Sequence, residues 1–414
     1  MKKIVLTLTV LLGIAPLCSA QLFDFGIQSK PQKPVKFEYD VDFWYYFDNR
    51  EFEPSKNIYY PSGTTHGVLV TPYAGFSVQQ EKSSVNHRFM LGMELCREMG
   101  AGEKLKDIPR EVLAFYDMHA STSTANFEVV AGVFPRNFQE AEYTEAIYRG
   151  GLKFSDRNFE GCLLKYASEK FYAEAGLDWM GLKGYDEKER FQVFSGGRWD
   201  ATSWLSLGWS ASMYHFAGSE VAPGVVDNHL LNPYVKFSLS KQTGLQALSL
   251  KAGAIVTYQW DRVFTDKPVC PSGGEFVFTL RNWNVCLQNT LYLGGNLQPY
   301  FFNNDTAGVM YGSRLYMGNP FYRNSTYDVA QISWSPKITD YLHLDLMVRV
   351  YCGIYPEGTG TFGVSGNQEI CSLVFDLDKI LNPKRVCGKV GKPVTRAKRV
   401  KMGRAFNMED LIRL

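Results

Sequence analysis

The sequence predicts an all-β protein: a transmembrane antiparallel up-and-down β-barrel of about 16 strands (14–18) with a basic C-terminal extension. Three observations predict it. Runs with a two-residue hydrophobic period recur along the chain, so each strand has one apolar and one polar face. After the first residues, no segment holds the roughly eighteen consecutive apolar residues that a membrane helix needs. The connections between the runs sort by parity, short after even-numbered strands and long after odd-numbered ones. Strands that run up and down between two compartments produce that asymmetry.

The chain opens MKKIVLTLTVLLGIAPLCSA, a charged start, an apolar run and a small-residue end. This reads as a secretory signal peptide over 1–20, cleaved after Ala20. Leu17 is poor for a lipobox ahead of Cys18, which leaves a lipoprotein the lesser reading. Residues 21–35, with Pro31 and Pro34, read as a periplasmic linker, 36–379 as the barrel and 380–414 as a basic periplasmic tail.

A formal net charge of +2 argues against a nucleic-acid partner, and 14% aromatic residues suit strands that meet an interface. Cys96, Cys162, Cys270, Cys286, Cys352, Cys371 and Cys387 are far apart and odd in number, without C-x-x-C or His-paired spacing. Neither a disulfide framework nor a zinc site is indicated, and no metal or cofactor is expected.

The first strand, KFEYDVDFWYYFDN from residue 36, sets Phe37, Tyr39, Val41 and Phe43 against Glu38, Asp40 and Asp42. NHRFMLGMELCR sets Phe89, Leu91, Met93 and Leu95 against Arg88 and Glu94. LQALSLKAGAIVTYQW places Leu248, Leu250, Ala252, Ala254, Val256, Tyr258 and Trp260 opposite Ser249, Lys251, Gly253 and Thr257. EFVFTLR, DYLHLDLMVRV and CSLVFDLD repeat the pattern. Strands are expected to start near residues 36, 67, 86, 111, 124, 158, 170, 190, 203, 230, 245, 275, 285, 325, 341 and 367. Two are weakly patterned: FEGCLLKYA lacks clean alternation, and the thirteenth puts Asn289 on its apolar face. Only a closed barrel lets one face meet lipid, because backbone groups in hydrocarbon must all be paired.

Several segments resemble the large porin-like outer-membrane barrels of Bacteroidota-type bacteria. They are Phe47-Asp48-Asn49-Arg50-Glu51, Gly132-Val133-Phe134-Pro135-Arg136, the stretch Ser212–Tyr234, and NLQPYFF…YGSRLYMGNPFY between Asn296 and Tyr322. The resemblance spans most of 36–379 and implies a Gram-negative outer-membrane location, periplasmic termini and passive transport. One departure is the tail, since many such barrels end on the final strand.

The polar faces nominate a pore lining: Glu38, Asp40, Asp42, Arg88, Glu94, Glu128, Glu174, Asp178, Arg198, Lys236, Lys251, Glu275, Arg281, His343, Asp345, Arg349 and Asp376. Acids outnumber bases, so a water-filled lumen would favour cations weakly; the competing reading pairs these charges across strands. The third long loop, 137–158, has a helix-like run with Glu140, Glu142, Glu145 and Arg149 as constriction candidates. The loop 295–324 carries Tyr300, Phe301, Phe302, Tyr311, Tyr316, Phe321 and Tyr322, readable as rim anchors, a partner surface or a glycan platform.

An enzyme is the remaining reading. His119 and Ser121, with Asn126 nearby, are similar to the His/Ser/Asn set of outer-membrane phospholipases, but the His119–Ser121 pair falls in an expected periplasmic turn. His66, His87, His215, His229 and His343 lack metal-site spacing. The expectation is a porin-like channel for passive diffusion of small polar solutes, without catalysis. The alternative is a plugged structural or accessory barrel of a larger assembly. Expected partners are outer-membrane lipid, other proteins met through loop 295–324 and tail 382–414, and a second copy of the chain.

Overall fold

The computed structural model describes residues 35–376 apart from 54–61, 80–83, 102–108, 337, 340 and 355–361. The expected leader, linker and tail, including Asp378, lie outside the described residues, as does the side chain of Asp376.

Sixteen strands form one closed ring. They are β1 (Lys36–Phe52), β2 (Gly63–Gln79), β3 (Val85–Glu98), β4 (Pro109–Ser121), β5 (Ala125–Pro135) and β6 (Asn158–Ser168). Next come β7 (Phe171–Gly181), β8 (Arg190–Asp200), β9 (Leu205–Ala217), β10 (Val225–Ser238) and β11 (Ala247–Asp261). The ring ends with β12 (Ser272–Asn282), β13 (Val285–Gly294), β14 (Thr326–Trp334), β15 (Leu342–Ile354) and β16 (Gly363–Asp376). Every strand pairs antiparallel with its chain neighbours, and β16 closes on β1 with Asp48 opposite Ile370. All expected strands are present, including the two weakly patterned ones. Among the described residues no helix is long and apolar enough to cross a membrane; the strands cross it.

Parity sorts the side chains as the alternation requires. On β1, Trp44, Tyr46 and Asp48 are buried inside, while Phe37 is 56% exposed on the outer face. Leu91 and Val112 stand outward at 66% and 65% exposure. An apolar band this continuous would drive association in water, and on a closed barrel it is the surface that meets lipid. The chain is an outer-membrane β-barrel.

The band has an aromatic edge at each end. On β8, Phe191 and Trp199 both face outward, eight residues apart. That is about 26 Å along the strand, or about 20 Å along the membrane normal at the usual tilt.

Connections largely follow parity. The exceptions are 239–246 after β10, which carries the helical turn Ser240–Thr243, and 335–341 after β14, neither of which is shorter than 218–224 after β9. The wall combines close approach with a left-handed backbone at Gly132 of β5, where φ is +122° and a Cβ would lie 2.1 Å from the Ala114 carbonyl oxygen. Only glycine allows β4 and β5 to pair there.

Two long connections turn inward, and their rings pack with the wall into one buried cluster that includes Phe138, Tyr148, Phe159, Phe194, Tyr316 and Phe321. Two expectations are corrected. The run 140–149 is not helical; a 3-10 turn at Arg136–Phe138 precedes it and a helical turn at Leu152–Ser155 follows. The aromatic loop 295–324 does not hold its rings at the rim. Tyr300, Phe301, Tyr311, Tyr316, Phe321 and Tyr322 are all buried. The hydroxyls of Tyr311, Tyr316 and Tyr322 reach luminal acceptors on β11 and β12, with Tyr311 on Asp261 at 2.8 Å, Tyr316 on Gln259 at 2.6 Å and Tyr322 on Glu275 at 2.5 Å.

Candidate active site

Three groups of polar side chains compete for a functional role. The first is the inner loop. Because 140–149 is irregular, with a turn over 145–147 rather than a helix, its acids fan out to different strands. Glu140 meets Lys165 of β6 at 3.1 Å, and Glu142 meets Lys236 of β10 and lies 3.7 Å from Arg198 of β8. Glu145 meets Arg349 of β15 at 3.1 Å. Thr144 donates to Glu275 of β12 at 2.5 Å, and so does Tyr322 from the other inward loop. The two loops also bind each other: Asn319 donates its backbone N–H to the Glu145 carbonyl at 2.7 Å and its side-chain amide to the Glu145 carboxylate at 2.9 Å. Burial alone would raise the Glu142 carboxyl; the ammonium groups of Lys236 and Lys251 and the Arg198 guanidinium outweigh it and hold the group at about 2. Burial would lower Arg136, at the loop's start, yet Asp178 and Asp156 raise it above its ordinary value.

The predicted lining residues other than Asp376 face the interior, and most are engaged. Arg88 lies 3.7 Å from Glu38 and 3.4 Å from Asp117. Lys251 lies 3.5 Å from Glu275, and Arg136 lies 2.7 Å from Asp178. The Glu94 carboxylate accepts from Asn158 at 3.3 Å, and Glu174 accepts from Tyr172 and from the backbone N–H of Glu140. Asp40 accepts from the backbone N–H of Val41. Asp42, Arg281, His343 and Asp345 lie on the same inner face. Arg149 ties its backbone to Met317 of the other loop.

The second group is His119, Ser121 and Asn126. They are in strands, at the paired ends of β4 and β5, rather than in a turn. They do not form a nucleophile–base pair. Ser121 donates to the Asn126 side-chain oxygen at 2.7 Å, whereas His119 Nε2 lies 3.2 Å from Glu128, itself 3.0 Å from Lys165. Serine activation needs the hydroxyl on the imidazole. These side chains also line the interior at the short-turn end, away from lipid.

The third group was missed by sequence reasoning. On β1 the outward face runs Phe37, Tyr39, Val41, Phe43, Tyr45, Phe47 and then Asn49. Asn49 pairs with Thr64 of β2 on one side and Glu369 of β16 on the other. The Thr64 hydroxyl donates to Asn49 Oδ1 at 2.6 Å, and Asn49 Nδ2 donates to Glu369 Oε2 at 2.8 Å. Asn367 donates to the other Glu369 oxygen. His66 shares the face, stacked on Phe47 with centroids 6.4 Å apart. A hydrogen-bonded Thr–Asn–Glu chain with an imidazole beside it thus stands on the lipid-facing wall, at the long-loop end. The sequence signal was the polar break in an apolar face, in the segment Asp48-Asn49-Arg50-Glu51 and again at Glu369.

The sequence profile of the Lipid A 3'-O-deacylase-type family matches residues 29–370. That match overturns the expectation that the protein is not an enzyme. No curated protein matches the sequence. Among solved structures the chain is similar to Salmonella typhi OmpF in complex with daunomycin, at 9% identity and TM-score 0.49, over 82% of this chain and 97% of that one. It is similar to OmpT, an outer membrane protein of Vibrio cholerae, at 8% and 0.49, over 84% and 100%. The outer membrane channel DcaP of Acinetobacter baumannii follows at 9% and 0.45, over 84% and 99%. These likenesses are of overall shape. The expected closed barrel is present, and the profile that matches the chain is that of a deacylase-type family.

Proposed function

The chain belongs to the Lipid A 3'-O-deacylase-type family, and on that premise we propose that it hydrolyses an ester-linked acyl chain of a lipid A-type glycolipid. The reaction takes place on the outer face of β16, β1 and β2. The observation that carries this reading is the Thr64–Asn49–Glu369 chain, placed where an acyl ester lies, at the boundary between hydrocarbon and head groups. The long loops face the cell exterior in this reading, and both termini face the periplasm.

The chemistry follows from the geometry. Thr64 and His66 point the same way from β2, about 7 Å apart along the strand, leaving room for an ester carbonyl and a water. The Thr64 proton is committed to Asn49, so water is the nucleophile and His66 takes its proton. As the carbonyl carbon becomes tetrahedral, the Asn49 amide, held by Glu369 at 2.8 Å, exchanges its longer 3.4 Å hydrogen bond to Glu51 for one to the oxyanion. Collapse breaks the carbon–oxygen bond, and the His66 proton passes to the sugar alcohol. The products are a fatty acid and a glycolipid with one fewer acyl chain.

Free diffusion through the barrel is the weaker reading, because both inward loops cross the interior and bind its far wall. The luminal acids are largely paired with bases, so no cation preference is proposed.

The test is incubation of the purified full chain with lipid A, followed by mass spectrometry. Loss of one ester-linked acyl chain, with amide-linked chains untouched, is the expected result. Unchanged lipid A beside folded, heat-modifiable protein refutes the proposal.

A further inference from the structure

We propose that the outer face of β7–β11 is a second lipid site, which holds a phosphate-bearing lipid head group without cleaving it. In the closed ring of sixteen strands β9 is eight strands from β1, so this face is diametrically opposite the Thr64–Asn49–Glu369 cluster.

Register places one unbroken row across five strands near the long-loop end. Trp179 is opposite Phe191, Phe191 opposite His215, His215 opposite Asp227, and Asp227 opposite Trp260. Trp179 and Phe191 stack with centroids 5.2 Å apart, and Phe191 and His215 at 4.8 Å. A row of rings by itself is an ordinary interfacial belt. What exceeds a belt is the polar group inside it.

The Asp227 carboxylate accepts from Arg262 Nε at 2.8 Å and lies 2.7 Å from its Nη2. The guanidinium also lies 5.4 Å over the Trp260 ring. The remaining guanidinium N–H groups have no partner among the described residues, and the side chain is 52% exposed. Asp227 therefore fixes the orientation of the fork without using all its donors, the arrangement that recognises phosphate in a bidentate way. Two imidazoles flank it. His215 faces Asp227 directly, and one row below, His229 lies flat on Tyr258 at 5.8 Å and 9°. His229 Nδ1 is buried and has no hydrogen-bond partner. A guanidinium and two imidazoles around one already paired carboxylate suit an anion. Their position at the top of the apolar band gives that anion an acyl tail.

Native mass spectrometry of the full chain, released from phosphatidylcholine nanodiscs doped with bisphosphorylated lipid A, tests this. Intact and deacylated lipid differ in mass, so retention is read separately from hydrolysis, and failure of one reading is distinguishable from failure of the other. The wild-type barrel is expected to retain lipid A. Retention falls about tenfold for Arg262→Gln, and by a similar factor for lipid A stripped of phosphate, as the loss of a charge-assisted pair implies. Arg262→Lys, which keeps the charge but not the fork, falls between wild type and Arg262→Gln and guards against a folding defect. Equal retention by wild type and Arg262→Gln, or equal retention of the dephosphorylated lipid, overturns the proposal. Displacement of the lipid by inorganic phosphate assigns the site to free anion and overturns the lipid assignment.

Discussion

Glu145 and Arg349 meet at 3.1 Å although one belongs to the loop after β5 and the other to β15. The loop therefore crosses the barrel and is pinned to its far wall, where the Arg349 side chain is 10% exposed and also donates to Gln331 at 2.7 Å. Removing one partner of a buried ion pair leaves the other uncompensated. Arg349→Ala is expected to lower unfolding stability by about 3–5 kcal/mol, and Arg349→Met by less. Urea unfolding in detergent micelles measures both.

Glu142 gives the loop its acid sensitivity. Its folded carboxyl sits near 2, below the ordinary value, so the clasp contributes stability above the ordinary carboxyl range and loses it as pH falls toward 2. In a planar bilayer the wild-type barrel is expected to conduct little at neutral pH and to open at the acid end of that window. Glu142→Gln opens it at neutral pH and flattens the dependence. A pH-independent conductance in the wild type contradicts the assignment.

Asn289 and Asp328 form a hydrogen-bonded pair at 2.8 Å on the outer face of β13 and β14. Leu291, opposite Asp328, and Ala330, opposite Asn289, keep that surface apolar. Asn289→Leu strands a carboxylate against lipid and is expected to cost about 1–3 kcal/mol. The double variant Asn289→Leu/Asp328→Leu is expected near wild type. A double-mutant cycle on unfolding free energies reads the coupling.

Gly132→Ala places a methyl group against the Ala114 carbonyl at a backbone conformation that disfavours side chains. The expected loss is at least about 1–3 kcal/mol, visible as a lower temperature for heat-modified migration. The neighbouring Ala131→Gly leaves the strand approach intact and shifts that temperature by less.

Most of the barrel was legible because a closed membrane sheet imposes one rule at every strand. The two-residue period survived even where Asn289 interrupts it, since backbone pairing, not the single side chain, fixes the strand. The inner faces of Glu38, Glu128, Lys251 and Arg349 followed from the same parity. The inward loops were not legible. Glu142 and Glu145 have the spacing of a helix, but their pairing with Lys236 and Arg349 depends on strands far along the chain. The aromatic loop misled for a related reason: Tyr311 and Tyr316 are apolar enough for a rim, and only the positions of Asp261 and Gln259 show that they turn inward. The candidate catalytic chain was hidden by the success of the pattern, because Asn49 and Glu369 lie on faces otherwise read as lipid contact. His119-x-Ser121 drew attention through sequence proximity, whereas Thr64 meets Asn49 only through the β1–β2 register and Glu369 joins them only through barrel closure.

The central claim is that acyl-ester hydrolysis occurs on the outer wall at His66 and not in the lumen at His119. Initial rates of fatty-acid release from lipid A, measured side by side for His66→Ala and His119→Ala barrels of equal heat-modifiability, test it most directly. The expected result is a fall of at least about a hundredfold for His66→Ala and a rate near wild type for His119→Ala. A full rate in His66→Ala, or a loss confined to His119→Ala, would contradict the account.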